Sequence, residues 1–356
     1  MRKGDHVRVL LTSLPIRSHL MPTVAPLAQA LRERGHEAVI ATGPAMAHVE
    51  HTVVMPDIPA PTDFGPPPPW HPERDGTLKV PLWAEELVVR ATANILDFAR
   101  NWRPDVILRE TNEYGGQIAA EVLGIPHALV EIAPFAPLEI PDLDERKDKV
   151  RARFGVGATE PHFTAGLTPA SWHPAQHHYR VPTSRQSWEK APEIVATFGT
   201  NADLLMTGSS LPHIVVEALG KVPARSVVAI GRGDWTGPRP SNVRLEPEVP
   251  QQQLLNTAKV FVTHAGYSSV REGLTAGVPM VALPLFADQP RNAARVEELN
   301  AGVTVDVKGL TARVLADRIQ HVLETKAYQD SAERLAAEMA ELPLFTEIPD
   351  HLVSAV

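Results

Sequence analysis

Short apolar runs alternate with stretches of helical period along most of these 356 residues, and this alternation restricts the fold more than any other feature. Val7-Arg8-Val9-Leu10-Leu11-Thr12 reads as a buried strand. Residues 22–35 then place Val24, Leu27, Ala28 and Leu31 on one helical face and stop at Gly35. Residues 37–42 read as the next strand. A strand, a helix and a second strand predict a parallel sheet with a crossover helix. The pattern continues with helices over 80–102, 114–123 and 141–153 and strands over 105–108 and 127–132. Beyond residue 190 it repeats more cleanly. Strands are expected at 193–198, 226–230, 243–245, 260–263, 280–283 and 303–305, with helices at 210–220, 251–257, 268–276, 290–300 and 312–325. Two alternating halves of similar size predict an α/β protein of two facing Rossmann-like domains. The ligand cleft should lie at the carboxyl ends of their strands.

Proline interrupts the pattern. The chain holds 34 prolines against 22 glycines, roughly twice the usual proline share of about 5%. Pro56, Pro59, Pro61, Pro66 to Pro69, Pro72 and Pro81 leave no room for a regular element over 56–81. That segment is either a stiff surface excursion or a loop that shapes a cleft. Residues 159–190 are irregular as well, and the domain boundary is expected there, at 186/187. There is no cysteine, which excludes disulfides, thiolate metal sites and a cysteine nucleophile, and fits a reducing cytoplasm. A net charge of −8 speaks against a nucleic-acid partner. The apolar run over 7–14 is too short to span a membrane, and Ser13, Arg17 and Ser18 interrupt a signal-peptide core. No membrane partner is expected.

Three clusters carry chemistry. In the first, Phe261-Val262-Thr263-His264-Ala265-Gly266-Tyr267-Ser268-Ser269-Val270-Arg271-Glu272, a buried strand enters a small-residue turn and then a helix. Free backbone N–H groups at such a helix start, backed by the dipole, suit phosphate. His264, Ser268 and Ser269 can add hydrogen bonds, and Glu272, one turn on, can accept from ribose hydroxyls. The plainer alternative is a serine cap beside a core histidine. In the second, Asp288-Gln289 follows the strand at 280–283 and precedes Pro290. It is either an N-cap or a pair that holds sugar hydroxyls. In the third, Glu248-Val249-Pro250-Gln251 starts a helix, and its backbone can pair with a base edge. Gly231-Arg232-Gly233-Asp234-Trp235-Thr236-Gly237 has the wrong spacing for a dinucleotide loop. Gly266-Tyr267-Ser268-Ser269-Val270 lacks the last glycine of a hydrolase elbow. No metal-ligand motif appears, and no metal is expected.

Together these clusters resemble the nucleotide-sugar signature of GT-B-fold glycosyltransferases, in particular the bacterial natural-product (antibiotic) enzymes related to the UDP-glycosyltransferases. The family order is Pro-Gln, then His-x-Gly-x-x-Ser-x-x-Glu, then Asp-Gln. Here it is matched by Pro250-Gln251, by His264, Gly266, Ser269 and Glu272, and by Asp288-Gln289. Arg17-Ser18-His19-Leu20-Met21-Pro22 and Gly35-His36-Glu37 are similar to the family's opening. Pro104-Asp105-Val106-Ile107, with Gly124-Ile125-Pro126, resembles its next landmark, and Thr197-Phe198-Gly199-Thr200 the turn that opens the second domain.

The resemblance implies an inverting transferase that moves a (deoxy)sugar from a nucleoside diphosphate to a hydroxyl of a hydrophobic aglycone. His264, Ser268 and Ser269 would hold the diphosphate, Glu272 the ribose, Pro250-Gln251 the base, and Asp288 and Gln289 the sugar. Gly199 and Thr200 would border the donor. His19 would be the general base, since an imidazole exchanges protons near neutral pH. Relatives that pair this histidine use an aspartate; here the strand end offers Glu110 or Glu113 instead. Glu248 stands where plant relatives carry a base-stacking tryptophan, and Ala265 where glycine is common. No cofactor is implied beyond the nucleotide-sugar, with dTDP favoured over UDP. Residues 1–186 would bind the acceptor, aided by Phe64, Trp70, Trp83 and Phe135, and 187–342 the donor. A last helix over 343–356 would cross back onto the first domain, and a homodimer is the candidate assembly. The alternative to an enzyme is a non-catalytic nucleotide-sugar-binding or auxiliary protein of the same fold.

Overall fold

The computed structural model describes residues 6–58, 71–75, 85–135, 142–183, 192–199, 209–231 and 235–356. Two wholly parallel sheets carry the described strands. The first contains β1 (Arg8–Thr12), β2 (Glu37–Thr42), β3 (Thr52–Val54), β4 (Val106–Glu110), β5 (His127–Glu131), β6 (Phe163–Gly166) and β7 (His177–His178), in the order β3-β2-β1-β4-β5-β6-β7. The second contains β8 (Ile194–Thr197), β9 (Ser226–Ala229), β10 (Val243–Glu246), β11 (Val260–Thr263), β12 (Met280–Ala282) and β13 (Gly302–Thr304), in the order β10-β9-β8-β11-β12-β13.

Both sheets therefore reverse direction beside their first strand. In the first, β1 pairs with β4, Thr12 opposite Arg109. In the second, β8 pairs with β11, Thr197 opposite Thr263. At such a switch point the neighbouring crossover helices lie on opposite faces of the sheet, and a crevice opens at the carboxyl ends. The central strands are apolar on both faces because helices cover both.

The helix Ala25–Glu33 buries Leu27, Ala28, Ala30 and Leu31, the face its sequence period predicts. Before it, Arg17–His19 forms one helical turn and Leu20–Val24 a wider π-turn closed by Ala25 N–H on the Leu20 carbonyl. Pro22 accounts for the widening, because it has no N–H and its ring would press on the carbonyl four residues back. One apolar cluster runs through both halves, joining Leu11, Leu27 and Trp172 to Phe261, Val270 and Ile348.

The structure corrects the sequence reading in three places. Residues 159–190, expected to be irregular, contain β6 and β7, which extend the first sheet. Their mixture of histidine, glycine and proline conceals the strands. The proline-rich 56–81 segment includes one turn of helix, Pro72–Asp75, with proline at the position where its missing N–H costs nothing. The helix Lys326–Glu341 was not anticipated, because its buried stripe is thin: Ala332, Leu335 and Met339. The expected boundary at 186/187, Thr200, and Phe64, Trp70 and Trp83 lie outside the described residues. Phe135 is half-buried and packs edge-on to His173, with ring centroids 5.2 Å apart.

The C-terminal helix Ile348–Ala355 lies against the helix Ala25–Glu33. There Asp350 accepts from Arg34 Nε at 3.0 Å, and Tyr179 contacts His351. Other bonds join the halves directly. The Tyr267 hydroxyl meets Thr168 Oγ1 at 3.1 Å, and Arg295 donates to the carbonyls of Ser171 (2.6 Å) and Trp172 (3.0 Å). Glu73 accepts from Ser209 Oγ and the Ser210 amide, both at 3.2 Å. Among the described residues no helix is long and apolar enough to cross a membrane.

Candidate active site

The two switch points supply the two sides of the site. On the first side, Glu110 ends β4 with a fully buried side chain. Its Oε1 accepts from His19 Nδ1 at 3.3 Å and from the Leu14 amide at 3.2 Å, and its Oε2 accepts from the Asn112 amide at 2.7 Å. A carboxylate only accepts, so the imidazole proton sits on Nδ1 and Nε2 is left as a base. His19 itself is one-fifth exposed. Glu113, the other acid at this strand end, does not reach His19. Its carboxylate accepts from Thr12 Oγ1 and, at 2.9 Å, from the Gly116 amide. Burial pushes the Glu113 carboxyl above its ordinary range. A Cβ on Gly116 would lie 2.3 Å from Thr12 Oγ1, so glycine there lets the two strand ends meet.

On the second side, β11 delivers His264 into the turn before the helix Tyr267–Ala276. Gly266 is the N-cap and supplies no capping side chain, so the helix start retains N–H groups for a ligand. His264 is buried. Loss of solvent pulls its pKa down to about 4, opposed by a backbone hydrogen bond at Thr197, so the ring is neutral at ordinary pH. Its Nδ1 is buried without a hydrogen-bond partner. Glycines flank the ring: a Cβ on Gly199 would come within 2.9 Å of it and one on Gly266 within 2.4 Å. Ala265 takes the left-handed conformation (φ 60°) that explains the frequent glycine there. Ala287, before Asp288, is also left-handed (φ 54°).

A hydrogen-bonded network lies behind this turn. Gln251 Nε2 donates to Glu272 Oε2 at 2.6 Å and to Ser269 Oγ at 3.5 Å, while Thr197 Oγ1 donates to Gln251 Oε1. Gln252 Nε2 donates to the other Glu272 oxygen at 3.2 Å. The Glu272 carboxylate is thereby oriented and still has lone pairs for hydroxyl donors. Ser269 is buried and Ser268 half-buried at the helix start. Pro250 is the N-cap of the short helix Gln251–Leu255.

The Asp288-Gln289 pair divides its work. Gln289 is buried, and its side-chain oxygen accepts from the amides of Leu285 (2.8 Å) and Phe286 (3.1 Å), shaping the turn after β12. Burial raises the Asp288 carboxyl above its ordinary value, opposed by the Asn292 hydrogen bond, His19 and the Tyr267 amide. Asp288 thus feels both the helix start and His19 from the other half. Asn292, which sequence reasoning missed, is fully buried and donates to Asp288 Oδ2 at 2.7 Å and to the Ala265 carbonyl at 3.0 Å. It clips the two turns together. Gln252 and Asn292 each lie within four residues of a motif position; no local pattern marks which of them points inward.

Known proteins resemble this chain in sequence and in fold. Residues 194–344 match the UDP-glucoronosyl and UDP-glucosyl transferase family. The chain is 26% identical to the 10-deoxymethynolide desosaminyltransferase of Streptomyces venezuelae, with 93% of each chain covered. It is 38% identical over 136 residues to rat UDP-glucuronosyltransferase 1A8, a match that spans 36% of this chain and only 25% of that longer protein. Among solved structures, the Streptomyces sp. SF2575 glycosyltransferase SsfS6, complexed with thymidine diphosphate, superposes with a TM-score of 0.71 at 22% identity, covering 98% of this chain and 100% of that one. Family match, full-length relative and fold converge: the chain is a nucleotide-sugar glycosyltransferase of the GT-B fold, similar over its length to a bacterial desosaminyltransferase and over residues 194–344 to the UDP-glycosyltransferases.

Proposed function

We propose that this enzyme transfers a deoxysugar from a dTDP donor to a hydroxyl of an apolar natural-product aglycone, with inversion and with His19 as general base. The observation that carries this reading is the His19–Glu110 pair, an imidazole held by a fully buried carboxylate at the carboxyl end of the first sheet. The acceptor hydroxyl gives its proton to His19 Nε2 while its oxygen attacks the anomeric carbon. The bond from that carbon to the diphosphate breaks, and the electron pair leaves with the nucleotide. Attack from the face opposite the leaving group inverts the centre. Glu110 stabilises the imidazolium that forms.

Residues 187–342 are the donor side in this reading. The helix start at Tyr267–Ala276, Ser268, Ser269 and His264 receive the diphosphate, and Gly199 and Gly266 make room for the His264 ring beside it. Because His264 is neutral, the helix start and dipolar groups, rather than a fixed cation, balance the diphosphate charge. Glu272, oriented by Gln251 and Gln252, accepts from the ribose, and Asp288 accepts from the sugar. Residues 1–186 hold the acceptor, and the returning C-terminal helix packs on them. Support for dTDP comes from the thymidine diphosphate bound by SsfS6.

His19→Ala tests this directly. Turnover should fall at least about 10²-fold, while dTDP still raises the melting temperature by mass action, and more than UDP or GDP does. Transfer at the wild-type rate would remove His19 from the mechanism. A melting temperature unmoved by any of the three nucleotides would remove the donor assignment.

A further inference from the structure

Arg109 opens onto a cavity that none of these steps uses. It precedes Glu110 on β4, so its side chain leaves the sheet on the opposite face. The residue is 8% exposed. Nη1 donates to the carbonyls of Glu110 (3.2 Å) and Thr111 (3.0 Å), but Nε is buried with no hydrogen-bond partner. The acids that act on it electrostatically are committed elsewhere. Glu110 holds His19 and two amides, Glu113 holds Thr12 and Gly116, and Glu121 holds Arg151 through both its oxygens. Glu131, at the end of β5, faces His173 at 3.7 Å. The guanidinium lies 5.9 Å from the Tyr114 ring centroid, and among the described residues no carboxylate pairs with it; a buried cation so placed gains from an anion that completes it.

The cavity beside it measures about 530 Å³, the size of a site for a small organic molecule. Tyr114, Pro134 and Leu143 give it an apolar wall; Asn112 and Lys147 add polar edges. Three acids also line it: Asp144 is paired with Lys147, Glu145 with Lys149 at 3.0 Å, and Asp142 is exposed. The Asn112 amide and His19 share the Glu110 carboxylate, which ties the cavity wall to the base.

We propose that this cavity is an acceptor subsite in which the Arg109 guanidinium takes the carboxylate of an aromatic or polyketide acid, whose apolar body lies against Tyr114, Pro134 and Leu143. The proposal rests on the reading of the first half as the acceptor side. Its test is binding rather than turnover, so its failure is distinct from a failure of His19 as base.

Titration calorimetry on the full chain would compare 6-hydroxy-2-naphthoic acid with its carboxamide. The wild type should bind the acid at least tenfold more tightly. Arg109→Gln should bring the acid down to the level of the amide and leave dTDP affinity unchanged. Leu143→Trp, which fills the cavity without touching the guanidinium, should weaken both probes at least tenfold and spare dTDP. If Arg109→Gln does not fold, Leu143→Trp decides, and unchanged acid binding there overturns the proposal. So does a wild type that fails to bind the acid at millimolar concentration or binds acid and amide alike. A preference that survives Arg109→Gln has the same force. Displacement of the acid by dTDP would place it in the diphosphate cradle instead and also overturn the proposal.

Discussion

The two sides of the cleft occupy equivalent places in equivalent sheets, yet they are built differently. The proposed donor side is one contiguous stretch, β11, a tight turn and a helix, in which backbone N–H groups are left open at the helix start and side chains such as Gln251, Gln252 and Asn292 brace the turn from behind. The proposed acceptor side is assembled from separated segments: His19 follows β1, and Glu110 comes from β4, 91 residues on. A site made of backbone tolerates little change in shape. A site made of convergent side chains depends on which partner each group finds.

The sharpest way to break this comparison is at the two glutamates. Glu110→Gln should lower kcat by about 10²- to 10⁴-fold, since it misorients His19 and removes the charge that stabilises its protonated form. Glu113→Gln should leave kcat within about twofold and instead lower stability by about 1–3 kcal/mol, because it disturbs a buried hydrogen bond. Equal kcat losses in the two variants would mean that the acids are interchangeable. On the donor side, Gly266→Ala puts a Cβ 2.4 Å from the His264 ring. It should raise donor KM about tenfold or more, a cost of at least about 1.4 kcal/mol, with a smaller effect on acceptor KM. An equal rise for both substrates would show that the turn does not belong to the donor alone.

Sequence and structure part company along the same line. The donor turn was legible because its residues are neighbours in the chain and their spacing alone puts them on one helix start. The partner of His19 was not. Glu110 and Glu113 stand three residues apart in the same turn, and what separates them is long-range: Thr12 and Gly116 claim one, Leu14 and His19 the other. Gln252 and Asn292 escaped for the same reason. Their hydrogen bonds to Glu272 and Ala265 close over 20 and 27 residues, and nothing local distinguishes them from exposed amides. Strands β6 and β7 escaped differently, because packing rather than propensity holds them.

A pH experiment probes the acceptor side more gently. Burial pushes the Glu131 carboxyl up from 4.5 to about 7, with Arg109 opposing. The folded protein therefore holds this proton more tightly than the unfolded chain does. The stability so gained is complete below about pH 4.5 and is lost as the pH rises through 7. Glu131→Gln should shrink the fall in unfolding free energy between pH 5 and 8 by up to about 3 kcal/mol. Identical pH slopes in the two proteins would show that Glu131 is not the group responsible. The smallest effect is expected at Ala265. Glycine relieves its left-handed backbone but adds freedom to the unfolded chain, so Ala265→Gly should change stability by less than about 1 kcal/mol. A loss beyond that would mean that the alanine methyl contributes packing to the turn.

Tyr267 occupies the first position of the donor helix, and its hydroxyl is bonded to Thr168 across the cleft. A change in the angle between the halves stretches that bond at the residue where a diphosphate would be received. Hinge angle and donor affinity are thus thermodynamically linked, and linkage is symmetric. If the proposed donor favours a closed hinge by some factor, a closed hinge returns that factor to donor affinity, and an acceptor that closed the cleft would tighten the hold on a donor it never touches.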